Sequence, residues 1–360
     1  MNNNYYLLFK TGDSEFKAIN ATSLNHRKFF IPIVELTRGR KLRGKDLTPI
    51  QNRLNKVYKL FKGLPVCLDI TSSERLSNPE ILALYNPDNG YINWIDFLDN
   101  VTTESGFSKL VPCIIANYND KNYLVNYSRQ IEQLFSKYDK VAYRNALADE
   151  GCYDDIEIIN QFINSQKLLF ILDCGYVPSG AWVNFAEKAI TRITNIHQIL
   201  GDAVEFVMCG TSFPNNVSEI GKDDEDSFGL FEINLHQKVV SALPTIKIVY
   251  GDYGSINPIR NDNIVMARGW IPRIDVPTQR EIFYKRERRG ENNYSNTYSR
   301  VARKIVRDSR FPKNFSYNWG IEQINNCAKG ASPGSNPSFW ISVRMNIHIQ
   351  QQIERLNAKG

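Results

Sequence analysis

Eight short apolar runs recur along the first 251 residues, and this repeat limits the possible folds more than any other feature. The runs alternate with stretches whose apolar residues have helical spacing, which is the strand-then-helix pattern of a parallel sheet. Runs that are apolar at almost every position are typical of strands buried on both faces. The eight runs are Tyr5–Lys10, 29–37, 65–71, 110–118, 140–147, 167–175, 203–210 and 246–251.

Eight such units predict a (β/α)8 TIM-like barrel, because closing the sheet removes the two edges that an open sheet would leave. The alternative is an open doubly wound sheet. The sequence contains neither a GxGxxG nor a GxxxxGK[ST] phosphate-binding loop to support that alternative. The last run leads into a turn with Gly251 and Gly254, where we expect a close backbone approach or a positive φ.

Charge divides the chain at the end of the last run. From residue 256 onward there are 18 lysines and arginines against 8 aspartates and glutamates, whereas the preceding part has 26 against 30. We therefore predict a barrel over residues 1–255 and a basic C-terminal α+β extension over residues 256–360 that packs on it. A basic attachment on an acidic body indicates a polyanionic partner or an acidic protein surface, and charge alone does not choose between them.

Polar residues stand at the end of every predicted strand, where the loops of a barrel build its site. Four carboxylates are candidate catalytic residues, because they could divide acid and base roles or hold Mg²⁺ or another divalent cation. Six further residues are candidates for ligand binding, since cations neutralise phosphates and carboxylates. The carboxylates are Glu35, Asp69, Asp173 and Asp252, and the ligand-binding candidates are Lys10, Arg38, Asn117, Arg144, Thr211 and Tyr253. The alternative is a network of internal salt bridges that holds the barrel mouth together.

Arginines interleaved with tyrosines mark the basic extension. Arg286, Arg288 and Arg289 form a cluster, and Arg303 and Arg307 follow on a predicted helix. Nucleic-acid surfaces often combine cations that contact phosphates with rings that stack on bases. The same pattern suits docking onto the barrel or onto a partner protein, so both interpretations remain.

Several classes of function lack support in the sequence. No apolar run approaches the ~20 residues that span a bilayer, and the first residues lack a signal-peptide layout, so we expect a cytoplasmic protein without a membrane partner. The six cysteines show no C-x-x-C spacing and are expected to be buried, reduced thiols. The four histidines lie away from the predicted strand ends, and there is no G-x-S-x-G elbow, which disfavours histidine-dependent and serine-nucleophile mechanisms.

Three parts of the chain resemble the beta-protein family, which occurs in T-even phages and in bacterial chromosomes. They are YYLLFKTGDSEFKAI with FFIPIVEL near the start, the YGDYGSINP turn, and the late SNPSFW segment. The resemblance implies a barrel-like α/β body and an association with phage or mobile-element biology. It implies no established reaction, so no catalytic residue is carried over, and the basic loop at 38–45 is not placed by the family pattern. The family-like positions are Glu35, Asp252, Tyr253, Asn336, Pro337 and Trp340.

Two functional hypotheses follow. The first is a phage- or defence-associated barrel protein that binds a phosphorylated or nucleotide-like ligand at the strand ends, with metal-assisted hydrolysis left open. The second is a non-enzymatic component of a phage-defence or counter-defence assembly, which contacts a partner protein or nucleic acid through the basic extension.

Overall fold

The structure, a computed structural model, describes residues 5–39, 50–215, 223–259, 269–313, 315, 317–331 and 333–358. The strands are β1 (Tyr5–Lys10), β2 (Ile31–Leu36), β3 (Pro65–Ile70), β4 (Lys109–Pro112), β5 (Lys140–Ala146), β6 (Lys167–Tyr176), β7 (Val204–Thr211), β8 (Glu225–Gly229), β9 (Ile248–Asp252), β10 (Arg273–Pro277) and β11 (Glu281–Arg286). The helices are α1 (Asp13–Ala21), α2 (Leu24–Arg27), α3 (Ile50–Phe61), α4 (Pro79–Leu84), α5 (Asp88–Glu104), α6 (Tyr123–Lys137), α7 (Cys152–Asn160), α8 (Trp182–Leu200), α9 (Phe231–Ala242), α10 (Tyr294–Arg307), α11 (Trp319–Ala328) and α12 (Pro337–Asn357).

Eight parallel strands form a nearly closed barrel in the order β4-β3-β2-β1-β9-β7-β6-β5. The two end strands meet through a parallel bridge between Cys113 and Ala142. There the backbone N–H of Ile114 donates to the carbonyl of Ala142 at 2.8 Å. The predicted (β/α)8 TIM-like barrel is therefore confirmed, and the open doubly wound sheet is wrong.

Alternate residues of each strand face the barrel interior or the surrounding helices, as the two-residue period of a strand requires. The interior cluster includes Leu8, Ile33, Ile171 and Val207. All six cysteines are buried, and they form no disulfide among the described residues, as expected. At the last turn, Gly254 has φ of +61°, and a Cβ on Gly251 would lie 2.5 Å from Cys209 Sγ. Both glycines therefore have the roles that the sequence predicts for them.

A three-stranded antiparallel sheet, in the order β10-β11-β8, lies beside the barrel. Its strand β8 comes from the connection between β7 and α9, so the sheet combines chain from both sides of residue 255. Helix α10 packs on it and α11 packs on α10, and they share a core that includes Ile274, Val276, Val301 and Ile324.

Helix α12 joins the two cores. Trp340, Val343 and Ile347 belong to the core of the small sheet, whereas Ile349 and Ile353 belong to the core around the barrel. Because β9 has no crossover helix directly after it, α12 covers the barrel at this point, where it packs against α1. The extension is therefore bound to the barrel by a shared helix as well as by a shared sheet.

Some sequence predictions extend beyond what the structure describes. Residues 40–49 are outside the described residues, and they include most of the basic loop at 38–45. Strand β4 ends at Pro112, earlier than the apolar run that extends to residue 118. In the described part of the chain, no helix is both long enough and apolar enough to cross a membrane.

Candidate functional site

Arg144 is the centre of a polar cluster at the carboxyl ends of the barrel strands. It is two residues beyond Ala142 on β5 and therefore faces the barrel interior, as Ala142 does. Its Nη1 donates to Glu35 Oε2 and to Asp69 Oδ2, both at 2.9 Å. Its Nε and Nη2 donate to Asp173 Oδ2 at 3.0 and 2.7 Å. With a further bond from Nη2 to the Tyr253 hydroxyl at 3.2 Å, all five N–H groups of the guanidinium have a partner.

Two more contacts complete this cluster. Lys10 Nζ lies 3.0 Å from Glu35 Oε2. The Tyr253 hydroxyl donates to Asp173 Oδ1 at 2.5 Å. The cluster thus holds three carboxylates against two cations, an excess of one negative charge when all are ionised. We call these six residues, Lys10, Glu35, Asp69, Arg144, Asp173 and Tyr253, the Arg144 cluster.

Glu35 and Asp69 are register partners on adjacent parallel strands, yet their pKa values move in opposite directions. Burial raises the pKa of Glu35, but the charges of Lys10 and Arg144 outweigh burial and leave it at about 2. Burial also raises the pKa of Asp69, and the negative charge of Glu35 adds to this, so that the net shift is upward despite Arg144. One ionised carboxylate beside one that holds its proton more readily is the arrangement that acid–base catalysis uses.

The Arg144 cluster forms part of the wall of a cavity of about 750 Å³. Aromatic side chains line another part of it, namely those of Tyr85, Tyr118, Tyr143 and Phe185. Two exposed cations, Arg75 and Lys188, also line the cavity. Ligand sites in barrels are built at this end of the strands, and a concave pocket with convergent polar groups is their usual form.

The carboxylates of this cluster do not form a metal site. Glu35, Asp69 and Asp173 all direct an oxygen at the guanidinium of Arg144, which lies where a shared cation would have to bind. Within the described ranges, no group of three or more His, Cys, Asp or Glu residues is arranged to hold a metal ion. The residues present therefore do not fit the Mg²⁺ or other divalent cation that the sequence left open.

Comparison with known proteins places the chain among its relatives. The family described as Beta protein matches residues 5–354. The chain belongs to this family. A relative named Protein beta, from Enterobacteria phage P4, is 27% identical over 357 residues, which cover 98% of this chain and 94% of the phage protein. The family resemblance seen in the sequence is thus confirmed, together with its link to a phage.

Two solved structures show a distant likeness to this Beta protein family member. The GH26 β-mannanase BoMan26A from Bacteroides ovatus is 8% identical, with a TM-score of 0.38 over 70% of this chain and 81% of that chain. The spore cortex-lytic enzyme SleL from Bacillus megaterium QM B1551 is 11% identical, with a TM-score of 0.34 over 84% of this chain and 68% of that chain. Likenesses at this level bear on neither substrate nor reaction.

Asp252 does not join the Arg144 cluster of this family member. It is fully buried on the outer side of the barrel, where it accepts hydrogen bonds from Tyr5 and Tyr250 at 2.8 and 3.1 Å. His348 Nε2, on α12, lies 2.8 Å from Asp252 Oδ2, the oxygen that also accepts from Tyr250. Burial raises the pKa of Asp252, but His348 and hydrogen bonds outweigh this and lower it overall. The expected convergence is wrong here, because consecutive residues of a strand face opposite sides and Tyr253 takes the inward one.

Three ligand-binding candidates are not among the residues that line the cavity. Arg38 Nε donates to the carbonyl of Arg75 at 2.8 Å. The side chains of Asn117 and Thr211 accept from backbone N–H groups two residues further on, both at 3.2 Å. These contacts stabilise turns, which is the common role of such residues after strands.

Sequence reasoning missed the aromatic part of the cavity and the residue that supports it. Tyr118, Tyr123 and Tyr143 all donate hydrogen bonds to Asp155, at 2.6 to 2.8 Å. In the sequence Asp155 is simply an acid in the first turn of α7, where it suits the helix dipole. The one available signal was Tyr118, which stands at the end of the fourth apolar run.

The five arginines proposed for nucleic-acid or partner binding lie on β11, on the segment after it and on α10. Arg289 lies over the ring of Tyr294, with its guanidinium carbon 4.8 Å from the ring centroid. Arg303 Nε donates to the carbonyl of Ala328 at 3.1 Å. The side chains of Arg286, Arg288 and Arg307 make no hydrogen bond or ion pair with the residues that the structure describes.

Proposed function

We propose that this family member binds a small sugar phosphate, of the kind that nucleotides contain, in the cavity beside the Arg144 cluster. The observation that carries the proposal is the set of carboxylates that Arg144 holds in place there. Each carboxylate keeps acceptor capacity beyond its bonds to Arg144 and Lys10, since a carboxylate has about four lone-pair sites. Hydroxyl groups of a sugar are the donors that suit such acceptors.

Arg144 itself is not the phosphate-binding group in this proposal. All five of its N–H groups already have partners, so a phosphate could bind there only by displacing a carboxylate. Arg75 and Lys188 line the same cavity and are exposed, and neither forms an ion pair with a described residue. They therefore suit the phosphate end of the ligand, while the Arg144 cluster suits its hydroxyl end.

Isothermal titration with ribose 5-phosphate tests the proposal. The wild-type protein should bind it, and Asp69→Asn or Asp173→Asn should weaken binding about tenfold or more, because a hydrogen bond to a charged group is worth about 1.5–3 kcal/mol. Both variants should keep a melting temperature close to that of the wild type. Asp154→Asn is a matched control, since Asp154 is exposed on α7 and does not line the cavity.

Two results would count against this function. If the wild type shows no binding, the cavity does not recognise a sugar phosphate. If Asp69→Asn and Asp173→Asn simply melt at lower temperature while binding is unchanged, the carboxylates hold the barrel mouth together and nothing more.

We propose nucleic-acid binding by the extension, in a phage-defence or counter-defence assembly, as a second candidate function. It is favoured by Arg286, Arg288 and Arg307, whose charges no described residue neutralises. By contrast, Arg300 and Lys304 on α10 pair with Glu287 at 2.5 and 2.9 Å. The unpaired arginines are thus the ones available to phosphates.

Salt dependence is the test of this second function. If these arginines touch phosphates, the logarithm of the binding constant should fall with the logarithm of salt concentration, by roughly 0.7 to 0.9 per phosphate contacted. The double variant Arg288→Glu and Arg307→Glu should flatten that slope without changing the melting temperature, because both side chains are exposed and exposed charges contribute little to stability. Lys59→Glu with Lys62→Glu, exposed near the end of α3, is the matched control. If the protein binds neither single-stranded nor double-stranded nucleic acid at ~50 mM salt, nucleic acid is excluded as its partner.

A further inference from the structure

Tyr118 combines an exposed ring with an anchored hydroxyl. The residue is 63% exposed. Even so, its hydroxyl donates to Asp155 Oδ2 at 2.8 Å. The ring lies 5.2 Å from that of Tyr123, at an interplanar angle of 34°. It also lines the cavity that contains the Arg144 cluster.

The anchor is rigid because Asp155 is itself buried and shared. Only 3% of Asp155 is exposed, and its two oxygens accept from three tyrosine hydroxyls. Tyr123 is supported in turn by Tyr127, with ring centroids 4.9 Å apart and an angle of 17° between the planes. A ring that is held in one orientation before binding loses little further freedom when a ligand packs on it.

We propose that Tyr118 is the stacking platform for a nucleobase, so that the ligand of the cavity is a nucleotide rather than a bare sugar phosphate. This inference rests on the proposed function. The sugar hydroxyls contact the Arg144 cluster, and the flat ring attached to the sugar packs on Tyr118. Tyrosine suits this role because any base can stack on the face of its ring. Its hydroxyl lies at the edge of the ring, so the bond to Asp155 holds the ring without covering that face. Asp155 acts as a positioning residue through that hydroxyl.

The test compares ligands that differ only by the base. Ribose 5-phosphate, AMP and UMP are titrated into the full chain by calorimetry. For whichever nucleotide binds more strongly, the affinity of the wild type should exceed its affinity for ribose 5-phosphate by about tenfold or more. This is the size of effect that one stacked base produces. Tyr118→Ala should weaken nucleotide binding more than ribose 5-phosphate binding and so bring the ratio of the two affinities close to one.

Three further variants separate stacking from general structural effects. Tyr118→Phe keeps the ring and should retain most of the preference for the nucleotide. Asp155→Asn should lower the ratio of the two affinities, a readout that a change in overall stability would not move. Leu124→Ala, at a side chain that is 64% exposed and does not line the cavity, should change neither affinity.

The possible failures can be told apart. If the wild type binds ribose 5-phosphate but shows no preference for a nucleotide, the platform is refuted and the proposed function stands. The platform is also refuted, and the proposed function stands, if Tyr118→Ala weakens the binding of both ligands equally. If neither ligand binds, both the function and the platform are refuted.

Discussion

Glu232 lies in the first turn of α9 with only 3% of its surface exposed. The hydroxyl of Ser212 donates to its carboxylate and accepts from the backbone N–H of Phe231 at 2.7 Å. Burial is the largest influence on its pKa, and the negative charge of Asp252 adds to it. Ser212 and His348 oppose them, and the pKa settles at about 7. Since this is above the ordinary value of 4.5, the folded state prefers the protonated acid, and stability is lost as pH rises through 7.

Glu232→Gln should therefore stabilise the protein at pH 8 and much less at pH 5. Glutamine keeps an acceptor for Ser212 and cannot ionise, so the gain at pH 8 should be on the order of 2–3 kcal/mol and should fall below about 1 kcal/mol at pH 5. Urea unfolding at the two pH values measures this. Glu157→Gln, on the exposed side of α7, is the control. An equal effect of Glu232→Gln at both pH values would show that the carboxyl does not titrate in this range.

The Arg144 cluster shows how far single residues can be predicted. Its six members were all identifiable, because the carboxyl ends of parallel barrel strands meet and each residue stands at such an end. The prediction that Asp252 faces the cavity is wrong by one position. When a strand end is located only to within one residue, the face that a given side chain takes is not fixed. The contacts of Asp252 with His348 and of Tyr118 with Asp155 were not predictable, because distant segments bring these partners together.

At the scale of the element, α12 departs most from its sequence pattern. Its apolar spacing predicts an amphipathic helix with one buried face, yet 15 of its 21 residues are buried, since it packs against two cores. Polar residues are buried with it because they have distant partners. Asn346 Nδ2, for example, donates to the carbonyl of Ala18 and to Thr22 Oγ1, both at 3.1 Å. No pattern within the helix reveals such partners.

Truncation before Pro337 should therefore abolish cooperative unfolding. It would expose the apolar surface of both cores and leave Asp252 buried without His348, and an unpaired buried charge is strongly destabilising. The expected result is a broad or absent thermal transition by circular dichroism. A chain ending at Ala358 keeps all of α12 and should melt like the wild type. A sharp transition within a few degrees of the wild type would mean that α12 is an accessory and not part of the barrel.

At the scale of the whole molecule, the barrel was predictable from its eight repeats, whereas the contribution of β8 to the small sheet was not. Strand β8 lies at the edge of a polar, acidic stretch with no apolar run. It forms because β11 supplies both a backbone partner and a complementary charge. Lys285 Nζ lies 2.5 Å from Glu225 Oε2 and 3.1 Å from Asp308 Oδ2. Part of the basic charge that suggests an external partner is thus neutralised by the acidic residues of the chain itself.

The late position of α12 in the chain has a consequence for the protein during its synthesis. A ribosome makes all eight barrel strands, then both remaining strands of the small sheet, before it makes the helix that supplies His348 to Asp252. Domains that emerge first generally fold first, but this barrel lacks one of its covering helices until α12 has emerged. A nascent or prematurely terminated chain therefore exposes the surface that chaperones and proteases recognise. We therefore expect a chain that stops before α12 to be degraded faster in the cell than one that has reached it.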